Sequence, residues 1–125
     1  MSSIIHKKTY RDFLTLLNDL ESHCQNSAEI ADNAEIAVIW SDLKQVFQKQ
    51  IILLTDEKLD REVASRWISL QTEIQREFRL LNTDWLFWAS ARQQGIKQAR
   101  AKAVKERLHK LSTYCQLMLT SIDNS

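Results

Sequence analysis

Residues 59–94 decide the fold, and they read LDREVASRWISLQTEIQREFRLLNTDWLFWASARQQ. Apolar side chains recur here at steps of three or four residues: Leu59, Val63, Trp67, Leu70, Ile74, Phe78, Leu81, Trp85 and Trp88. This spacing places them on one face of an α-helix. Between Asp56 and Gln94 there is no Gly or Pro. The pattern therefore predicts one helix of about 38 residues, ~57 Å long at 1.5 Å per residue.

Three further amphipathic segments accompany this stretch. Apolar residues follow helical spacing over about residues 9–25, from about residue 33 to residue 55, and over about residues 96–122, where Ile96 opens the stripe. Residues 26–33 are small and polar without a clear period, which is typical of a loop. The sequence therefore predicts four helices joined by short links.

Short polar residues and the single glycine predict where these helices begin and end. Asp32, with Glu35 three residues later, has the spacing of a capping box at the start of the second helix. Thr55 or Asp56 is expected to end that helix and cap the third, because a short side-chain oxygen can accept from exposed helical N–H groups. Gly95 is expected to end the third helix in the left-handed conformation common at helix C-termini.

The composition supports an all-α protein. The chain has 125 residues, which fits one domain, and it contains one Gly and no Pro. All-β proteins need these residues for their many turns, and phosphate-binding loops need several glycines. We expect a single helical domain over residues 1–125, with a polar tail at 123–125. Its predicted fold is an elongated, up-and-down antiparallel four-helix bundle with a long third helix.

Charge and cysteine content favour a cytoplasmic protein. The net charge is +1 and there are two cysteines, too few for a disulfide framework. Residues 1–8 lack the apolar core of a signal peptide, and the longest apolar runs are only a few residues. We therefore expect no membrane span and a cytoplasmic location.

The sequence predicts no catalytic, cofactor-binding or metal-binding residues. Its 16 carboxylates are spread along helix surfaces, whereas acid–base chemistry needs them gathered in a pocket. His23 and Cys24 are adjacent on a helix and so point about 100° apart. Cys24 and Cys115 both fall on apolar stripes. Glu106 and His109 have the spacing of one di-iron ligand pair, but such sites need two pairs, and both are expected to face water. A non-enzymatic protein is therefore expected.

A strong charge asymmetry underlies the near-neutral total. Residues 92–110 carry a net charge of +6 and the rest of the chain carries −5. The seven cations are Arg92, Lys97, Arg100, Lys102, Lys105, Arg107 and Lys110. They favour an acidic protein partner or, alternatively, a small helical protein that binds nucleic acid with this stretch. A third interpretation is internal pairing with acidic neighbouring helices, for which Arg100 and Arg107 are well placed beside the apolar stripe.

Residues 80–89 are apolar on more than one face. Leu81, Trp85 and Trp88 occupy the main stripe, and Leu80 with Phe87 begins a second line. Either two neighbouring helices cover both lines, or the second line is a surface for self-association or a partner. The candidate partner-binding residues are therefore Arg92, Lys102, Lys105 and Lys110 for charge, and Leu80 and Phe87 for apolar contact.

The second half of the chain resembles a known family. The motifs are Glu77-Phe78-Arg79-Leu80-Leu81-x-x-Asp84, Ala91-Arg92-Gln93, Gln98-x-Arg100, and Arg107-Leu108-x-x-Leu111-x-x-Tyr114-Cys115. They resemble the cyanobacterial heterocyst frequency control protein PatD family over about 40 residues. The first half matches only as an amphipathic pattern.

The resemblance implies a small, cytoplasmic, non-enzymatic regulator. PatD-type proteins limit the fraction of filament cells that become heterocysts, and they bind the tubulin-like division protein FtsZ and promote its assembly. FtsZ proteins are typically acidic, so a basic surface would steer the encounter. The resemblance transfers no binding residues, and it leaves open whether a homodimer or an elongated monomer with two contact points would bundle filaments.

Overall fold

The computed structural model describes residues 4–25 and 34–123, and these form four helices. Helix α1 spans Ile4–Gln25, α2 spans Ala34–Val46, α3 spans Arg61–Ser90 and α4 spans Gln94–Asp123. Helix α2 continues directly into a π-helical turn at Phe47–Ile51. The described residues contain no strand, and the all-α four-helix prediction is confirmed. No helix among them is long and apolar enough to cross a membrane.

Neighbouring helices run in opposite directions. The first turn of α1 meets the last residue of α4, where Lys7 Nζ lies 3.2 Å from an Asp123 carboxylate oxygen. Between α3 and α4, a residue later in one helix contacts a residue earlier in the other. The contacts are Glu77 with Lys110, Asp84 with Arg107, and Phe87 with Arg100. The end of α1 meets the start of α2 at His23 and Glu35, while Phe13 lies beside Phe47. The order is likewise reversed between α2 and α3, and the bundle is therefore antiparallel.

Stacked aromatic rings fill the centre of the bundle and join α2 to α3. Phe78 of α3 stacks on Phe47 with ring centroids 3.9 Å apart, and Trp85 stacks on Trp40 at 4.4 Å. Phe13 of α1 lies 6.1 Å from Phe78. All five rings are at least 94% buried, which is why the aromatic stripe that the sequence places on α3 is the core of the fold.

A buried polar network holds the π-helical turn. The N–H of Ile52 donates to the Phe47 carbonyl at 3.0 Å, five residues back. The Ile51 carbonyl accepts from the side-chain amide of Gln71 at 2.8 Å and from the N–H of Leu54 at 3.2 Å, and Tyr10 donates its hydroxyl hydrogen to the Gln71 oxygen. Trp67 in turn donates to the Tyr10 oxygen at 3.0 Å. Every buried polar group of this network therefore has a partner.

The predicted cap at Thr55 or Asp56 is wrong. Residues 52–60 form a linker, and α3 begins only at Arg61. The Thr55 carbonyl accepts a hydrogen bond from His6 Nε2 at 2.8 Å. Leu59 is half-buried against the core, and its N–H bonds the Asp56 carbonyl at 3.0 Å in a turn. These contacts with the rest of the molecule keep the linker out of the helix.

The predicted role of Gly95 is also wrong. The chain breaks at Ala91, whose extended backbone (φ −70°, ψ 135°) ends α3 at Ser90. Gly95 lies in the first turn of α4 without a positive φ, and a Cβ added to it would meet nothing within 4 Å. Helix α3 is thus 30 residues long, about 45 Å at the helical rise, rather than the predicted length.

The starts of α1 and of the buried stripe on α4 also differ from the prediction. Helix α1 begins at Ile4, more than one turn before the predicted start, because His6, Thr9 and Tyr10 are already buried. Ile96 was predicted to open the buried stripe of α4, but it is 46% exposed. The prediction for Ile96 is wrong because this residue lies in the first turn of α4, beyond the point at which α3 ends at Ser90. The predicted loop at 26–33, the Asp32 cap and residues 124–125 of the tail lie outside the described residues.

Candidate protein-interaction surface

The cations of residues 92–110 divide into a set that pairs internally and a set without an ion pair among the described residues. Arg107 Nη1 lies 2.7 Å from Glu77 Oε2, and Arg107 Nε lies 3.3 Å from Asp84 Oδ2. Lys110 Nζ lies 2.9 Å from Glu77 Oε1. Lys110 was predicted to contact a partner, but its charge is directed to α3. The internal-pairing interpretation is therefore correct for these two cations.

Glu77 is the acidic centre of the paired set. Its side chain is fully buried on the face of α3 that meets α4. Burial alone would raise the pKa of Glu77, but the bonds from Lys110 and Arg107 outweigh it and lower that pKa below the ordinary glutamate value. The pKa of Arg107 is raised by Glu77, against burial, and also by Asp84. This network fixes α3 against α4.

The other five cations have no carboxylate of the described residues within 4.0 Å. They are Arg92, Lys97, Arg100, Lys102 and Lys105. Lys102 lies seven residues, or about two turns, before His109 and so shares its side of α4. His109 Nδ1 reaches Glu21 of α1 at 3.6 Å. Lys102 and Lys105 therefore lie on the side of α4 next to α1.

A second group of exposed residues lies around the link between the end of α3 and the start of α4. Phe87 is 50% exposed, and the Arg100 guanidinium lies 4.6 Å from its ring centroid. Leu86 is 62% exposed, and Ile96 lies one turn before Arg100 on α4. We call Leu86, Phe87, Arg92, Ile96 and Arg100 the hairpin tip. Its combination of exposed apolar, aromatic and arginine side chains is typical of protein interfaces.

The predicted partner-binding residues are thus only partly brought together. Phe87 and Arg92 belong to the hairpin tip, and Lys102 and Lys105 lie beyond it on another side of α4. Leu80 is half-buried, and it lies on the face of α3 that also carries Glu77 and Asp84, which contact α4. The main aromatic line is covered by neighbouring helices, since Trp85 and Trp88 are at least 95% buried.

The cysteines do not resemble reactive thiols. Both are fully buried and free. Burial raises the pKa of the Cys24 thiol to about 11 and raises the pKa of Cys115 further. Since the thiolate is the nucleophile, such thiols are unreactive near neutral pH. Their predicted place in the core is confirmed.

The remaining titratable side chains are dispersed. Glu106 and His109 are exposed, as predicted. His23 Nε2 lies 3.3 Å from Glu35, and its Nδ1 lies 2.8 Å from the Asp19 carbonyl. The bond to that carbonyl raises the pKa of His23, with smaller contributions from both carboxylates. No group of three or more His, Cys, Asp or Glu side chains in residues 4–25 and 34–123 could hold a metal ion.

Comparison with protein-family models, curated proteins and solved structures finds no match to the chain. A function can therefore be argued only from its own residues and their arrangement. The hairpin tip is the strongest candidate for a functional surface, and Lys102 and Lys105 lie farther along α4 as a second candidate.

Proposed function

We propose that this protein is a non-enzymatic regulator of the PatD type, which binds FtsZ, modulates its assembly and thereby limits heterocyst frequency. The observation that carries the proposal is the hairpin tip, where the half-exposed ring of Phe87 lies against Arg100, an arginine with no ion pair among the described residues. A surface of this composition fits an acidic protein that also offers apolar side chains.

The ion-pair network supports the same proposal by fixing the tip in place. Glu77, Asp84 and Arg107 belong to the motifs that resemble PatD, and they meet in one cluster between α3 and α4. The cluster lies next to the Phe87–Arg100 contact along the same seam. A tip held on two rigid helices loses little conformational entropy on binding, which favours affinity.

Nucleic-acid binding is the alternative. It would use the same free cations to neutralise phosphates. However, Lys102 and Lys105 lie on the α1 side of α4, whereas Arg100 lies on the α3 side over Phe87. The cations therefore do not form the single basic stripe that tracks a phosphate backbone, so a protein partner is favoured.

Reversing the charge of Lys102 and Lys105 to Glu is expected to weaken binding to cyanobacterial FtsZ about tenfold or more at low ionic strength. Both side chains attract an acidic partner without stabilising the fold, so the thermal midpoint should hardly change. Affinity measured over a salt series checks this, and the wild-type dependence on salt should be steeper than that of the variant.

The matched control reverses Arg66 and Arg79, which are exposed on α3 away from the tip and have no ion pair among the described residues. Equal losses in both double variants would show only a net-charge effect and would contradict a localised site. A parallel arm uses duplex DNA as the probe. Salt-sensitive retention on DNA without FtsZ binding would replace the proposal with the nucleic-acid alternative.

A further inference from the structure

The end of the bundle opposite the hairpin tip carries a second exposed apolar surface. It comprises Ile4, Ile5, Ile52 and Leu53, which are 62%, 67%, 46% and 69% exposed. We call these four residues the apolar end. The 30 residues of α3 separate it from the tip by about 45 Å, so one molecule has two distant surfaces of different character.

The fold brings the two halves of the apolar end together. Ile5 precedes His23 by 18 residues, or five helical turns, so both lie on the same side of α1. That side faces α2, because His23 Nε2 contacts Glu35. The linker that carries Ile52 and Leu53 leaves the π-helical turn at the far end of α2, and the His6–Thr55 bond ties it to the first turns of α1.

The charge around the apolar end fits a second copy of this chain. Its rim comprises residues 4–12, 49–62 and 123, which hold six Lys or Arg and six Asp or Glu, so the net charge is zero. Two identical surfaces meet without net repulsion only when each is near neutral and mixed in sign. The residues from 92 to 110, at +6, would repel their own copies.

Some charged residues of the rim are available for pairing between copies. Lys49 at the π-helical turn and Asp56 and Glu57 on the linker are exposed, and none of them has an ion pair among the described residues. An isologous interface repeats every contact twice, so a two-fold arrangement that brings Lys49 of one copy to the linker acids of the other forms two such contacts. An anionic membrane would meet those acids as well, which disfavours it.

We propose that the apolar end is a self-association surface, through which two copies form a two-fold dimer with their hairpin tips pointing away from each other. The four side chains cover less area than the roughly 800 Å² per partner of a standard stable interface, so the dimer is transient and depends on concentration. If the proposed function holds, on which this step rests, the dimer presents two FtsZ-binding tips and cross-links filaments through avidity.

Replacing Leu53 with lysine is expected to weaken self-association at least tenfold, because it places a charge at the centre of the interface. Sedimentation velocity over a concentration series, from micromolar to several hundred micromolar, measures the change. The matched control is Leu86→Lys at the hairpin tip, where an apolar side chain of similar exposure receives the same substitution. It should leave self-association unchanged.

Three results would overturn the dimer. They are a wild-type chain that stays monomeric at the highest concentration, equal weakening by both lysine variants, and binding to anionic lipid vesicles that Leu53→Lys abolishes. A further measurement separates this inference from the proposed function. Leu53→Lys should bind FtsZ with unchanged single-site affinity and lose the bundling of filaments seen by light scattering. If the wild-type chain binds FtsZ but never dimerises, the proposed function stands and the dimer fails.

Discussion

Replacing Arg107 with methionine is expected to lower the free energy of unfolding by about 3 kcal/mol. The substitution keeps the aliphatic volume but leaves the fully buried Glu77 with Lys110 alone, and it removes the partner of Asp84. A buried carboxylate that loses one of its two cations is costly because it has lost its hydration and keeps only part of the interaction that replaced it. Urea denaturation followed by circular dichroism measures the loss.

The control for this variant is Arg79→Met, an exposed arginine of α3 that has no ion pair among the described residues. Its effect should stay within about 0.5 kcal/mol. Adding Glu77→Gln to Arg107→Met should recover part of the lost stability, because it removes the buried charge that Arg107 no longer balances. Similar losses for both arginine variants would show that the cluster does not stabilise the fold.

The same network predicts how stability changes with pH. The pKa of Glu77 is lowered in the folded protein, so its stabilisation is fully present above the pKa of an unfolded glutamate and disappears as the pH falls through the folded-state value. The unfolded value is about 4.3. Arg107→Met should therefore flatten the decline in stability on acidification below about pH 4.

Replacing Phe78 with alanine is expected to cost about 3–5 kcal/mol, the range for removing a buried aromatic ring. The Phe78 ring stacks on Phe47, and its centroid lies 5.7 Å from that of Trp40 and 6.1 Å from that of Phe13. Its loss opens a cavity where α1, α2 and α3 meet. Thermal unfolding would show the loss, and the near-ultraviolet circular dichroism of the Trp40–Trp85 stack should change with it.

Phe87→Ala is the matched control for this second variant. The ring is half-exposed and lies against Arg100, so its removal should cost less than about 1 kcal/mol. Because Phe87 belongs to the hairpin tip, the same variant should weaken FtsZ binding. A large stability loss for Phe87→Ala, or none for Phe78→Ala, would contradict the assignment of core and surface.

The sequence predicted the core of α3 well because burial follows the helical period. Phe78, Trp85 and Trp88 recur at that period, and each lies in the core. Helix boundaries were harder to predict, because the signals at Thr55 and Gly95 are local. The true boundaries depend on contacts with distant residues, such as the His6–Thr55 bond.

The candidate site could be predicted only in part for a similar reason. A list of cations cannot separate free charges from paired ones until the partners are placed in space. Glu77 did carry a signal, since a carboxylate three residues after Ile74 and four before Leu81 lies within the apolar stripe and needs a buried partner. Arg100, Leu86 and Ile96 became part of the tip only when the break at Ala91 was known.

Hydrogen–deuterium exchange of the chain, alone and in complex with assembled FtsZ, tests the central claim most directly. The proposed function predicts added protection of backbone amides in residues 86–105, which cover the hairpin tip, Lys102 and Lys105. Exchange in the exposed part of α2 should not change. Protection confined to α1 and α2, or no change anywhere in the presence of saturating FtsZ, would contradict the account.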